Sequence, residues 1–362
     1  MRLRGDIGAG DTAVRRDGIP ELDGLRGLAA LIVLVSHVSN DSGLWGGLLG
    51  HGGGQTGVML FFVLSGFLMA HIHIETEFLA RNVWDYAVRR VARVFPMFVL
   101  VAAAFQLQPW IVAWVWPGRD VWVTILRQVT LIDPGFSILW TVRVEILFYV
   151  AFVGIWFLHR RMARRWVTLC VLGSAVLVLS TTWVGEWGVF LATCRYFLFG
   201  IMSALLMPRV PLRAGAAVSV LSLAVLASVP LSFPLMARHF FGVEVDPWRS
   251  DVVAVQVVLL FNVVVRLRSW LSAALATWVA REIGRISYSL YLLQPFVLTA
   301  VVVRIAPGRP LVTLAIILVC AIVVAELSNR LIERPAQRLL LRAGPDMRLP
   351  VGNRSVPGPS RL

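Results

Sequence analysis

An all-α, polytopic membrane protein with about ten transmembrane helices and both termini cytoplasmic is predicted, on three observations. The 362-residue chain is 58% hydrophobic and only 15% charged, where soluble domains run at roughly 45–50% and about 25%. Its mean hydropathy is +0.78. Its apolar residues fall in runs close to the ~20 residues that cross a bilayer. The ten runs are Leu22–Ser39, Gly57–Ile74, Phe95–Trp116, Ile138–Leu158, Val167–Trp183, Val189–Met207, Ala214–Leu235, Val252–Val265, Ile283–Ile305 and Leu311–Leu327. Leu22–Ser39 and Val252–Val265 are short and need neighbours. Val121–Ile132 is too short to span and reads as a re-entrant or interfacial segment.

Charge sets the orientation. The formal net charge is +14 and every basic residue is arginine. A basic chain often binds nucleic acid. Here the arginines sit in short clusters between apolar runs, the pattern of a membrane protein, and no nucleic-acid partner is expected. With the N-terminus inside, the cytoplasmic set is Arg2, Arg4, Arg15, Arg16, then Arg81, Arg89, Arg90, Arg93, then Arg160, Arg161, Arg164, Arg165. Arg209, Arg213, Arg266, Arg268, Arg330, Arg334, Arg338 and Arg342 complete it. The other side holds fewer: Arg119, Arg127, Arg238, Arg249 and Arg309. Arg15 and Arg16 precede an apolar stretch without a small-residue cleavage pattern, so an uncleaved first helix is expected.

Residues 1–18 are expected to form a cytoplasmic tail, 19–341 the transmembrane domain, and the proline-rich 342–362 a disordered tail. No further soluble domain is expected, so any chemistry must lie in the membrane body. Cys170, Cys194 and Cys320 lie in apolar runs without zinc spacing and read as small buried hydrophobes. Trp45, Trp110, Trp114, Trp116, Trp140, Trp183 and Trp187 fall at the outer ends of runs. They form an interfacial belt or, for some, a surface on which a sugar ring stacks.

Polar groups at membrane depth are the functional candidates, because each costs roughly 2.5–3.5 kcal/mol to insert. The first run carries Asp23, Arg26 and His37. Eleven helical steps put Arg26 and His37 on one face, about 16 Å apart, and Asp23 can pair with Arg26. The set lines a cavity, or is a structural ion pair with an interfacial histidine; the residues alone fit both. In the fourth run Thr141, Glu145 and Tyr149 share a face. Glu145 can orient a histidine, bind an acceptor hydroxyl or pair with an arginine. Ser287, Tyr291 and Gln294 form a stripe beside Tyr288, equally suited to joining helices. Arg89 and Arg93 share a face and suit phosphates or serve orientation alone. His71 and His73, with Glu75, are two apart on a helix end and should not converge on a metal; no metal site is expected. His51, His159 and His239 read as loop residues. Ser65, in Val63-Leu64-Ser65-Gly66-Phe67, lacks a nucleophile-elbow pattern, and no Walker or dinucleotide glycine motif is present.

Several segments together resemble the membrane acyltransferase 3 family. Ile19-Pro20-Glu21-Leu22-Asp23-Gly24-Leu25-Arg26-Gly27, followed by His37, resembles its opening, whose hallmark is an Arg and a His separated by ten residues. Phe61-Phe62-Val63-Leu64-Ser65-Gly66-Phe67-Leu68 resembles its second span, and Arg90-Val91-Ala92-Arg93 its cytoplasmic R-x-x-R. Trp140-Thr141-Val142-Arg143-Val144-Glu145, Ile286-Ser287-Tyr288-Ser289-Leu290-Tyr291-Leu292 and Glu333-Arg334-Pro335 follow in the family's order. The likeness runs from about Ile19 to Arg338. One departure stands out: the family often has a histidine where Gln294 sits.

The resemblance implies an integral O-acyltransferase of a bacterial plasma membrane. It implies transfer from acyl-CoA, above all acetyl-CoA, to a hydroxyl of a carbohydrate or of a glycosylated small molecule such as a macrolide. Acyl-CoA is then a substrate, and no permanently bound cofactor is expected. His37 is the expected general base, with Glu145 orienting it and Arg26 in the catalytic group. Arg89, Arg90 and Arg93 are expected at the donor phosphates. Asp23, Trp140, Ser287, Tyr288, Tyr291 and Gln294 are expected to bind or support. Two rival readings are a membrane transporter, since polar stripes also line transport pathways, and a non-catalytic acyl-CoA-binding sensor.

Overall fold

A computed structural model describes residues 19–107, 126–127, 138–162, 165–181, 185–206, 216–267, 269–302 and 309–342. Among these residues the secondary structure is helical, without strands. Within the described residues each apolar run overlaps a helix, and Ala214–Leu235 reaches into two. The helices are α1 (Pro20–Ser42), α2 (Gln55–His73), α3 (Ala80–Leu107), α4 (Leu139–Met162), α5 (Arg165–Leu179), α6 (Gly185–Leu206) and α7 (Ala216–Ala227). After α7 come α8 (Pro234–Phe241), α9 (Asp251–Arg266), the short α10 (Trp270–Leu275), α11 (Trp278–Val302), α12 (Pro310–Ser328) and α13 (Arg334–Arg342). A π-helical turn, Asn329–Glu333, joins α12 to α13.

Five of these helices are long and apolar enough to cross a membrane, counting α12 and α13 as one continuous helix. The number is six if the bent pair of α7 with its following turn and α8 counts as one broken span. That pair bends by 104°, where Pro230 and Pro234 remove backbone donors. α5 and the part of α6 from Leu191 to Leu206 are apolar but shorter. The expected segment Val121–Ile132 lies outside the described residues apart from Leu126 and Arg127, as do the two tails and Trp110, Trp114 and Trp116.

Glycines let the central helices touch. A Cβ at Gly66 of α2 would collide with the carbonyl oxygen of Phe197 on α6, and one at Gly200 with that of Val63. A Cβ at Gly284 of α11 would strike the carbonyl oxygen of Asp23 on α1. Helices in lipid associate by such close backbone packing, because lipid tails already satisfy apolar side chains. Gly66→Val is therefore expected to prevent recovery of monodisperse protein on size exclusion. Gly173→Ala, whose new methyl group meets nothing within 4 Å, is expected to leave the elution profile unchanged.

The bundle has two chemically distinct ends. At one end Trp156 Nε1 donates to the carbonyl of Thr76 at 3.0 Å, and Arg165 lies 3.7 Å from Glu75. Arg89, Arg90 and Arg93 of α3 and Arg285 of α11 belong to this arginine-rich end. At the opposite end Thr56 Oγ1 donates to the carbonyl of Ser232 at 3.4 Å, and Ser232 Oγ to Gln256 Oε1 at 2.7 Å.

Two histidines expected in loops are helical. α4 continues past Leu158, so His159 is buried and shares a hydrogen bond of 2.9 Å with Thr168 Oγ1 on α5. His239 lies in α8. His51 does lie in a tight turn, with φ of 47°.

Candidate active site

α1 and α11 run side by side in the same direction, and their register decides the site. Gly27 stands against Gly284, the backbone nitrogen of Gly284 lying 3.0 Å from where a Gly27 Cβ would be. Ten residues on from this pair, His37 and Gln294 stand at one level, about 15 Å further along both helices. Ala30, Leu34 and Val38 share an apolar cluster with Ile286, Leu290 and Val297, which keeps the register along that length.

Between α1, α2, α3, α4 and α11 lies a cavity of about 60 Å³. Arg26, Arg90 and Arg93 line it together with Glu145, Ser287, Tyr288 and Tyr291. This gathers seven of the twelve residues singled out in the sequence. Glu145 accepts a hydrogen bond of 2.8 Å from Ser65 Oγ of α2 and another from the Tyr149 hydroxyl one turn along α4. Its partners are thus hydroxyls. Tyr291 OH and Thr141 Oγ1 are 3.0 Å apart and share a hydrogen bond. Tyr288 OH donates to the carbonyl of Val94 at 2.8 Å, tying α11 to α3.

The cavity adjoins a wider vestibule of about 660 Å³ at the arginine-rich end. Arg26, Arg90 and Arg93 line both spaces, and Arg89 and Asp23 the vestibule alone. Arg26 Nη1 donates to Asp23 Oδ1 at 3.2 Å. His71 and His73, not expected to converge, both face this vestibule, because it is wide enough to meet two sides of the α2 end. Among the described residues no group of three or more His, Cys, Asp or Glu gathers as a metal set.

His37 and Trp140 do not line the cavity. Tyr291 marks its limit toward the opposite end, and Gln294 lies three residues, about 4.5 Å, beyond. His37 is half-buried there, with Asp41 one turn further on the same face. The expectation that Glu145 lies at His37 meets a different geometry, in which Glu145 belongs to the Arg26 cavity. Gln294 is fully buried and neither its amide nitrogen nor its amide oxygen has a hydrogen-bond partner. Trp140 packs edge-on to Trp248, with ring centroids 5.6 Å apart.

Several residues near the site were not singled out. Ser65 was set aside for lacking an elbow motif; nothing local marks it, since its partner is 80 residues away. Arg195 is buried in α6 and donates to Asp251 Oδ1 at 2.9 Å, to the Trp248 carbonyl at 2.8 Å and to Tyr196 OH at 3.1 Å. It fastens the 243–250 loop over the opposite end, and an arginine within an apolar run was a readable signal. Buried Glu333 accepts from Ser289 Oγ at 2.7 Å, Asn329 Nδ2 at 3.0 Å and Gln337 Nε2 at 3.2 Å. Gln337 also faces the vestibule. Glu333 closes the π turn that aims α13 at this space, in keeping with the frequent placement of such turns at functional sites.

Comparison with known proteins adds to this geometry. Residues 19–327 match the profile of the acyltransferase 3 family, described as an acyltransferase domain. The chain belongs to that family. Among its curated relatives is the Bacillus subtilis protein YrhL, named as a candidate peptidoglycan O-acetyltransferase, 28% identical over 88% of this chain and 54% of its own. A candidate O-acetyltransferase of Staphylococcus aureus strain COL is 26% identical over 90% of this chain and 58% of its own. The S. aureus O-acetyltransferase OatA is 24% identical over 88% of this chain and 57% of its own. The chain thus spans little more than half the length of these relatives. No solved structure matches it. The shared region begins at Ile19, where α1 enters the bundle, and contains Arg26, His37, Glu145 and the α11 stripe.

Proposed function

We propose that this acyltransferase 3 family member moves an acyl group, above all acetyl, from acyl-CoA to a hydroxyl of a carbohydrate or a glycosylated small molecule such as a macrolide. One observation carries the reading: an arginine-lined vestibule and a small cavity share Arg26, Arg90 and Arg93, and Arg26 stands on the same face of α1 as His37. We place the chain in the plasma membrane with ten spans and both termini cytoplasmic, which puts the arginine-rich end inside.

The donor phosphates then bind Arg89, Arg90 and Arg93 by charge-assisted hydrogen bonds. The thioester passes Arg26 into the cavity. Its volume is several times the roughly 10–15 Å³ that one water needs, enough for the narrow end of a donor and too small for a sugar. The acceptor therefore approaches from the opposite end, at the level of His37 and Gln294. Its hydroxyl oxygen attacks the thioester carbonyl carbon while His37 takes the hydroxyl proton. The carbon–sulfur bond breaks, and the CoA thiolate leaves with that proton. A two-step route through an acyl-histidine uses the same residue as nucleophile.

Gln294 has a place in this scheme. An amide left unpaired away from water costs about 1–3 kcal/mol, so a ligand at that level gains by pairing with it. Its N–H can donate to the carbonyl oxygen as charge develops there. Glutamine cannot replace a histidine in proton transfer, which leaves His37 as the base.

The test is release of free CoA from acetyl-CoA by purified protein, offered sugars and macrolides singly. Release that depends on one acceptor supports transfer. Acetyl-CoA binding without release across an acceptor set that includes peptidoglycan fragments would favour the non-catalytic reading. Replacing Arg90 and Arg93 together by alanine is expected to raise the acetyl-CoA KM about tenfold or more, with acceptor KM unchanged. An unchanged donor KM would assign both arginines to membrane orientation alone.

A further inference from the structure

A second space adjoins the cavity sideways. An apolar cleft of about 360 Å³ lies between α3 and α4, walled by Val91 and Phe95 on one side and Val150 and Gly154 on the other. Val91 is 50% exposed and Val150 70%, and a Cβ at Gly154 would meet nothing within 4 Å. The mouth therefore faces outward on the lateral surface of the bundle, at the depth where α4 is apolar throughout. The inner end is different. Arg90, Val94 and Tyr149 line both this cleft and the central cavity. The Arg90 guanidinium lies over the rings of Tyr86 and Tyr149, 5.6 and 5.4 Å from their centroids. The Tyr149 hydroxyl is the group bonded to Glu145.

We propose that this cleft holds the alkyl tail of a donor acyl group longer than acetyl, so that the protein also accepts medium-chain acyl-CoA. The inference rests on the acyl-CoA reading above. Three features select this occupant. The cleft and the cavity assigned to the thioester share Arg90, Val94 and Tyr149 as their common wall, so a chain attached there enters the cleft by moving past these side chains. Its wall is apolar apart from Arg90 and the tyrosines Tyr86 and Tyr149, whose hydroxyls already donate to the Tyr149 carbonyl and to Glu145, which suits methylenes better than a sugar. The cavity itself, at about 60 Å³, has no room for a long chain, while the cleft is several times larger. Burying each methylene favours binding by about fourfold, and the gain accrues along the cleft without altering the chemistry at the carbonyl.

A photoreactive octanoyl-CoA carrying a diazirine near the chain end tests this on the intact protein. Labelling is expected on peptides containing Val91 or Val150, and unlabelled octanoyl-CoA and free CoA are both expected to suppress it. Gly154→Phe, which projects a ring into the mouth, is expected to lower octanoyl-CoA kcat/KM at least about tenfold while acetyl-CoA kcat/KM stays within about twofold. Val150→Phe serves as the second variant should Gly154→Phe melt earlier than the parent. Labelling outside α3 and α4, or equal losses for both donors in a variant that melts normally, would overturn the proposal. Labelling of the cleft that free CoA does not suppress would also overturn it, and would make the cleft a site for lipid tails. Absence of CoA release from acetyl-CoA and octanoyl-CoA alike, with cleft labelling suppressed by CoA, would sink the transfer reading and leave the binding site standing.

Discussion

His37→Ala is expected to reduce acyl transfer by about 10²–10⁴-fold, the usual contribution of a positioned general base, with normal protein yield and melting temperature. The structural reason for a clean phenotype is position. His37 is half-buried beyond the cavity, away from the glycine contacts that hold α1 to α11. Loss of the imidazole therefore removes chemistry without opening a core. Initial rates at saturating acetyl-CoA check this, and melting in detergent controls for folding. A loss in kcat with donor KM unchanged fits a group that acts on the acceptor proton. Turnover retained at the parent rate would remove His37 from the mechanism and leave Arg26 and Glu145 as the reacting end.

Glu145→Gln is expected to lower kcat by about 10²-fold. The carboxylate is the anionic group among three guanidiniums lining the cavity, and it fixes the hydroxyls of Ser65 and Tyr149. Glutamine keeps the shape, so the fold is expected to survive. Both hydroxyls donate to the same oxygen, Oε1, so a glutamine carbonyl in that place keeps both hydrogen bonds, and what is lost is the charge. Tyr149→Phe and Ser65→Ala each remove one partner and should cost less, about 1–2 kcal/mol each, and their effects should not add to that of Glu145→Gln because the three act as one cluster. A Glu145→Gln protein with parental kcat would make the carboxylate structural.

The contrast between Tyr149 and Ser65 shows what the sequence carried. Helical spacing alone put Thr141, Glu145 and Tyr149 on one face, and that face lines the cavity. Ser65 reaches Glu145 only through the packing of α2 on α4, which no local pattern encodes. The helices themselves were legible because apolar runs in a bilayer-spanning chain have a length set by the solvent. Their bends and extensions were less so. α4 runs on through His159 because its last turn packs on α5, and the α7–α8 pair folds back at prolines that composition alone reads as part of one run. The Arg26 to His37 separation was readable as an axial distance. The level of Gln294 beside His37 needed the Gly27–Gly284 contact. Arg195 was readable as a charged residue in an apolar run, although its role in holding the 243–250 loop was not.

The most direct test of the account is mass balance for the acyl group. Purified protein is given acetyl-CoA labelled in the acetyl carbon, together with the acceptor that supports CoA release, and the products are resolved by mass spectrometry. One labelled acetyl ester on an acceptor hydroxyl is expected for each CoA released, in the parent and not in His37→Ala. Labelled acetate with no acceptor ester, or equal ester formation by His37→Ala, would contradict it.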